Sequence, residues 1–176
     1  MNDLAFYKSI YDRELSRRKS LDDSISIPIG IISLLIGLVS FYYTSAEYKA
    51  FIDNSKVALI LLGLTIILLT LSILFLVKSY NNFLRGFSYP NISLLKEVRN
   101  FQKVEIPKYN EQVAKEKHIT FEEDLTDKLI AIADRNTQIN DSRAIYLYRA
   151  KTFIILSLAT IFITTIFLII KKSELC

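Results

Sequence analysis

The sequence predicts an all-helical integral membrane protein. It has three transmembrane helices, a helical polar segment between the second and third, and a last helix that runs unbroken from that segment into the membrane. Three observations predict this. Hydrophobic residues make up 51% of the 176 residues, and their longest runs form three blocks, 25–43, 57–77 and 152–170, none of which holds a charged residue. The charged residues, 23% of the chain, lie between those blocks. From residue 122 to residue 170 there is neither proline nor glycine to interrupt a helix.

At about 1.5 Å per residue the blocks measure about 28–32 Å, which matches the hydrocarbon core of a bilayer. Their flanks agree. Asp22, Asp23 and Ser24 precede the first block, where carboxylates favour a helix N-terminus and Ser24 can cap it. Pro28 falls in the first turns, where a missing N–H costs little. Tyr42, Tyr43, Tyr48, Tyr80, Tyr146 and Tyr148 lie at block ends, as interfacial aromatics do, and Lys171 and Lys172 close the third block. The first block is too long for a cleaved leader and is soon followed by a second.

In order, the chain reads as an N-terminal amphipathic helix (1–23), a first span (24–44), a short external loop (45–56), a second span (57–78), a helical segment (79–150), a third span (151–170) and a tail (171–176). Lys and Arg number five before the first block, two between the first and second, thirteen between the second and third, and two after the third. The positive-inside rule therefore predicts a multi-pass protein of a bacterial inner membrane, with a cytoplasmic N-terminus and middle segment and an external C-terminus.

In the N-terminal segment Leu4, Tyr7, Tyr11 and Leu15 share a helical face, which suits the membrane surface or the middle segment. In the middle segment Tyr89-Pro90-Asn91 marks a turn that stops the second helix. Residues 92–103 read as a short helix, and Pro107 can open another. Thr120-Phe-Glu-Glu123 is a capping box, and Phe121, Leu125, Leu129 and Ile132 form an apolar stripe behind it.

Two sets of residues stand out as candidate contacts. Ser26, Gly30, Ser33, Gly37 and Ser40 recur at steps of three and four in the first span, a small-residue seam that lets helix backbones approach closely. The seam serves either packing within the chain or contact between copies. Asn136, Asn140 and Arg143 share one face just before the third span, either as a solvated face or as contacts for a trigger or partner. The hydroxyls of Thr65, Thr70, Ser72, Ser157, Thr160, Thr164 and Thr165 read mainly as bonded to their own helix backbones, with a narrow pore lining as the alternative.

Catalytic signals are missing. The four glycines, Gly30, Gly37, Gly63 and Gly86, build no phosphate loop. Cys176 is the single cysteine and His118 the single histidine, so neither a metal cluster nor a nucleophile–histidine set is expected, and no cofactor is called for. No Asp, Glu, Lys, Arg or His lies within a block, which argues against a proton relay or an ion-coupled transporter. A net charge of +4 with both signs interleaved argues against nucleic-acid binding. The partners expected are the lipid bilayer, further copies of the chain, and a cytoplasmic sensor protein or small-molecule signal.

Two stretches carry a resemblance. One is Tyr11-Asp-Arg-Glu14-Leu-Ser-Arg17-Arg18, running into Ser26-Ile-Pro28-Ile-Gly30-Ile-Ile. The other is Asn136, Asn140, Arg143, Leu147 and Ala150, running into the last span. Together they resemble the SLATT-like few-span membrane effectors of bacterial anti-phage defence. Such proteins mostly have two spans before their soluble helices, so the third span here departs from the pattern. The resemblance implies an effector that multimerises and permeabilises the inner membrane when triggered. The residues alone also allow a non-enzymatic anchor docking a cytoplasmic partner, or a small transport accessory subunit.

Overall fold

The computed structural model describes residues 3–173, apart from the side chains of Glu47 and Lys172. The expectations for Cys176 and for the Lys172 side chain therefore lie outside the described residues. All regular structure among the described residues is helical: α1 (Asp3–Asp23), α2 (Ser26–Thr44), α3 (Ala46–Asn54) and α4 (Lys56–Asn81) come first. α5 (Leu95–Asn100) then passes through a π-helical turn (Phe101–Glu105) into α6 (Ile106–Gln112). A 3-10 turn (Lys115–Lys117) leads to α7 (Phe121–Ser173). Three helical stretches are long and apolar enough to cross a membrane, within Asp3–Thr44, Lys56–Asn81 and Lys115–Lys171. The chain divides into two compact units. A polar unit comprises Met1–Ser20 and Phe87–Asp141; an apolar unit comprises Leu21–Gly86 and Ser142–Cys176.

The apolar unit is a three-helix bundle whose seams repeat every seven residues. α2 buries Pro28, Ile32, Leu35, Val39 and Tyr42. α4 buries Ala58, Leu62, Thr65, Leu69, Ser72, Leu76 and Ser79. α7 answers with Leu147, Ala150, Ile154, Ser157, Ile161, Thr164 and Leu168. Alternating steps of three and four give a 3.5-residue period, the condition for a left-handed supercoil. Cross-helix bonds set the directions. Ser79 Oγ donates to Arg143 O (2.9 Å), Ser72 Oγ to Ala150 O (3.2 Å) and Thr65 Oγ1 to Thr160 Oγ1 (2.9 Å), so α4 and α7 run antiparallel. Asp22 meets Arg143 and Tyr42 meets Thr165, so the first span runs parallel to α7.

The entry to α2 corrects the expected cap. α1 continues through Asp23, and α2 begins at Ser26 after Ile25, with no side-chain cap. Proline explains the break: Pro28 cannot donate to Ser24 O, and its ring crowds that carbonyl. The external loop of the sequence reading contains a helix of its own, α3. Its Ile52 is buried, and Tyr48 packs its ring against Phe41 and Tyr42 at 5.7 and 5.5 Å. Ser55 then caps α4 by accepting from Ala58 N (3.4 Å).

α4 stops at Asn81, before the Tyr89-Pro90 turn that the sequence suggested. It ends in a left-handed turn in which Asn82, Phe83 and Leu84 have φ of 51°, 55° and 70°, and Gly86 has φ of 74°. Asn81 holds this turn, its Oδ1 accepting from Leu84 N (3.0 Å) and its O from Gly86 N (2.8 Å). Non-glycine residues lose roughly 1–2 kcal/mol each in this conformation, so the turn is locally strained.

In the polar unit α7 opens with the expected capping box. Thr120 Oγ1 accepts from Glu123 N (3.2 Å), and Glu123 Oε2 accepts from Thr120 N (3.3 Å). Residues 92–94 are not helical, and Pro107 does not open a separate helix. Instead the helical run from Leu95 widens into the π turn directly before Pro107 and continues to Gln112. The missing Pro107 N–H leaves one helical bond unmade, and a local change of winding absorbs that loss. Asn110 closes the following loop with a paired bond to one residue: Nδ2 donates to Ile119 O (2.9 Å) and Oδ1 accepts from Ile119 N (3.0 Å). His118, just before it, is exposed.

Candidate functional site

The small-residue stripe lies on the outer face of α2. Ser26, Gly30, Ser33, Gly37 and Ser40 are all exposed, so the stripe does not form a closed seam inside the chain. Each stands two positions before a buried residue (Pro28, Ile32, Leu35, Val39, Tyr42), which at 3.6 residues per turn puts the two stripes about 160° apart. A Cβ added to Gly30 or Gly37 would meet no heavy atom within 4 Å. Ser26 and Ser33 edge a groove beside α4 whose other wall includes Ile73, Tyr80 and Leu84. α2 thus has two faces with a heptad period. The large aliphatic face is used by the bundle, and the small-residue face is open.

The close seam within the apolar unit lies between α4 and α7, where the sequence reading did not place one. Ala58, Thr65, Ser72 and Ser79 are fully buried, as are Ala150, Ser157 and Thr164. In each helix they recur every seventh residue, with Leu or Ile at the alternate heptad position. That seven-residue recurrence is visible in the sequence and was its available signal. Some hydroxyls of these helices bond their own backbone, as expected, and others bond a neighbouring helix. Thr70, Ser157, Thr164 and Thr165 donate to their own helix carbonyls, whereas Ser72, Ser79 and Tyr42 reach across to a neighbour.

Arg143 belongs to the apolar unit and is buried at 1% exposure. Its Nε donates to Ser79 O (2.9 Å) and its Nη2 to the Asp22 carboxylate. It accordingly ties the polar ends of the three long helices together, and its charge is compensated by Asp22.

Asn136 and Asn140 belong to the polar unit, and both are fully buried. Asn140 Nδ2 donates to Glu14 O (2.9 Å) and Glu14 Oε2 (3.1 Å), and its Oδ1 accepts from Tyr89 OH (2.8 Å). Glu14 is only 2% exposed and also meets Arg13 (3.3 Å) and Arg17 (3.5 Å). Arg17 reaches on to Asp141 at 2.6 Å. That hydrogen bond is the largest reason the Arg17 guanidinium is held protonated beyond the ordinary arginine range. Arg18 lies 4.3 Å over the Tyr89 ring. Asn136 Nδ2 donates to Pro90 O (3.4 Å), while its buried Oδ1 has no partner.

These polar groups therefore clamp α1 and the Phe87–Pro90 strand of coil onto α7. The solvated face considered for Asn136, Asn140 and Arg143 is not what the structure has: all three are buried. Sequence reasoning missed Glu14, because a charged residue in a charge-rich, amphipathic helix reads as solvent-facing.

The polar unit also holds a groove of about 500 Å³ between the α5–α6 run and the first turns of α7. Comparison with protein-family models, curated proteins and solved structures finds no match to this chain.

Proposed function

We propose that the chain is a membrane effector that self-associates through the small-residue face of α2 and permeabilises the membrane when triggered. The setting proposed is bacterial anti-phage defence, in the manner of SLATT-like effectors. The observation that carries this reading is the open stripe from Ser26 to Ser40. An apolar helix gains little from burying more Leu against lipid, whereas a stripe of small residues allows the close backbone contact that drives helix association in bilayers. The proposed leak forms between copies or in lipid they disturb. The proposed orientation puts α1 and the polar unit in the cytoplasm, following the distribution of Lys and Arg.

A second reading, a non-enzymatic anchor that docks a cytoplasmic protein, is favoured by the groove in the polar unit. The test is inner-membrane potential after induced expression, read with a potential-sensitive dye beside growth. Wild type is compared with a Gly30→Leu plus Gly37→Leu variant at equal membrane abundance. Depolarisation and growth arrest abolished in the variant support the effector. Depolarisation that persists in the variant refutes the α2 interface. Absence of depolarisation, even after the chain is crosslinked as an oligomer, favours the anchor.

A further inference from the structure

We infer that the groove of the polar unit is a docking site for a basic, apolar-faced peptide segment of another protein. Its apolar floor comprises Val98 and Phe101 from the α5–α6 run and Phe121, Leu125 and Ile132 from α7. All five are partly buried. Such a row, at i, i+4 and i+11 along α7, offers sockets for the side chains of a ligand rather than for a single ion.

Charge selects the occupant. Glu97, Glu105 and Asp124 line the groove with Lys128 as its one cation. Lys128 is already engaged, with Nζ 2.7 Å from Asp124 and 4.0 Å over the Phe101 ring. The lining therefore carries two net negative charges in a chain whose formal net charge is +4. Glu105 is held in place by Asn100 Nδ2 at 3.0 Å, on the π turn that Pro107 imposes. An anionic nucleotide is repelled here; Lys or Arg beside Leu or Phe is attracted.

Size argues for a peptide. Ile92 also lines the groove, and Leu94 and Leu95, next in the chain after Ser93 of that lining, are 73% and 85% exposed. Large apolar side chains exposed beside an apolar groove are a usual mark of a protein contact. Its arrangement suits an amphipathic segment whose apolar residues enter the groove while its basic residues meet Glu97 and Glu105.

This site stands apart from the proposed leak and fails or holds independently of it. The experiment uses the full chain in nanodiscs of zwitterionic lipid. The probe is a fluorescent 14-residue peptide of Leu and Lys with Leu at i, i+3, i+4 and i+7, set against the same peptide with Glu for Lys. Saturable binding of the Lys peptide is expected, above that to empty nanodiscs, with the Glu peptide at least about tenfold weaker. Glu97→Gln with Glu105→Gln is expected to weaken it about three- to tenfold. Leu125→Lys, at the partly buried floor, is expected to abolish it while circular dichroism stays unchanged. Should Leu125→Lys unfold the unit, the Glu97→Gln/Glu105→Gln pair still decides. No saturable binding, equal binding of the Glu peptide, or binding indifferent to the rim variants overturns the inference. Liposome leakage measured on the same variants reports on the effector reading alone.

Discussion

Replacing Asn140 with leucine tests the clamp of the polar unit. Leucine has nearly the same shape, so the change removes hydrogen bonds with little loss of packing. Asn140 makes three bonds at a fully buried position: to the Glu14 carbonyl, to the Glu14 carboxylate and from Tyr89 OH. A bond between neutral groups contributes about 0.5–1.5 kcal/mol, and one to a charged group about 1.5–3 kcal/mol. The Glu14 carboxylate keeps Arg13 and Arg17, so the lower end applies to it. The Glu14 carbonyl and the Tyr89 hydroxyl each lose this bond. The sum is about 2.5–4.5 kcal/mol against the attachment of α1. Hydrogen exchange of the full-length protein in detergent reads it directly: amides of residues 4–20 should exchange on the order of a hundredfold faster. Tyr89→Phe removes one bond and should accelerate exchange about fivefold. A change below about threefold for Asn140→Leu would refute the argument that this network holds α1.

Other outcomes follow from the same physics. Ala150→Leu overpacks a fully buried seam position against α4 and should destabilise the apolar unit by about 1–3 kcal/mol, seen as a lower melting temperature in detergent. Gly30→Leu with Gly37→Leu meets open space, so it should leave that temperature within about 1 °C while reducing crosslinked oligomer; a large drop would place those glycines inside the fold. Thr120→Ala removes the capping box and should cost about 0.5–2 kcal/mol, with faster exchange confined to the first turn of α7. Leu84→Gly, at φ of 70° on a residue 84% exposed, should stabilise by about 0.5–1 kcal/mol, whereas Leu84→Val should destabilise.

Local signals were legible wherever a short run of residues is sufficient. Uncharged blocks of membrane length, a Thr-x-x-Glu box and a stretch free of Pro and Gly each act through neighbours in sequence. The three apolar helices, the cap at Thr120 and the unbroken α7 accordingly appear where the sequence put them. Pro28 and Pro107 also acted locally, although their effects, a break before α2 and a π turn before α6, depend on which carbonyl each leaves without a donor. What only the tertiary structure decided is which face of each helix is used. A helix with two heptad stripes looks the same from either side in one dimension. The choice of the aliphatic face of α2 and the α4–α7 seam of small residues depend on other helices, and the burial of Glu14, Asn136, Asn140 and Arg143 depends on partners more than forty residues away in the chain. Periodicity names candidate faces, but burial is assigned by whichever pairing of distant faces excludes the most solvent while satisfying the buried polar groups.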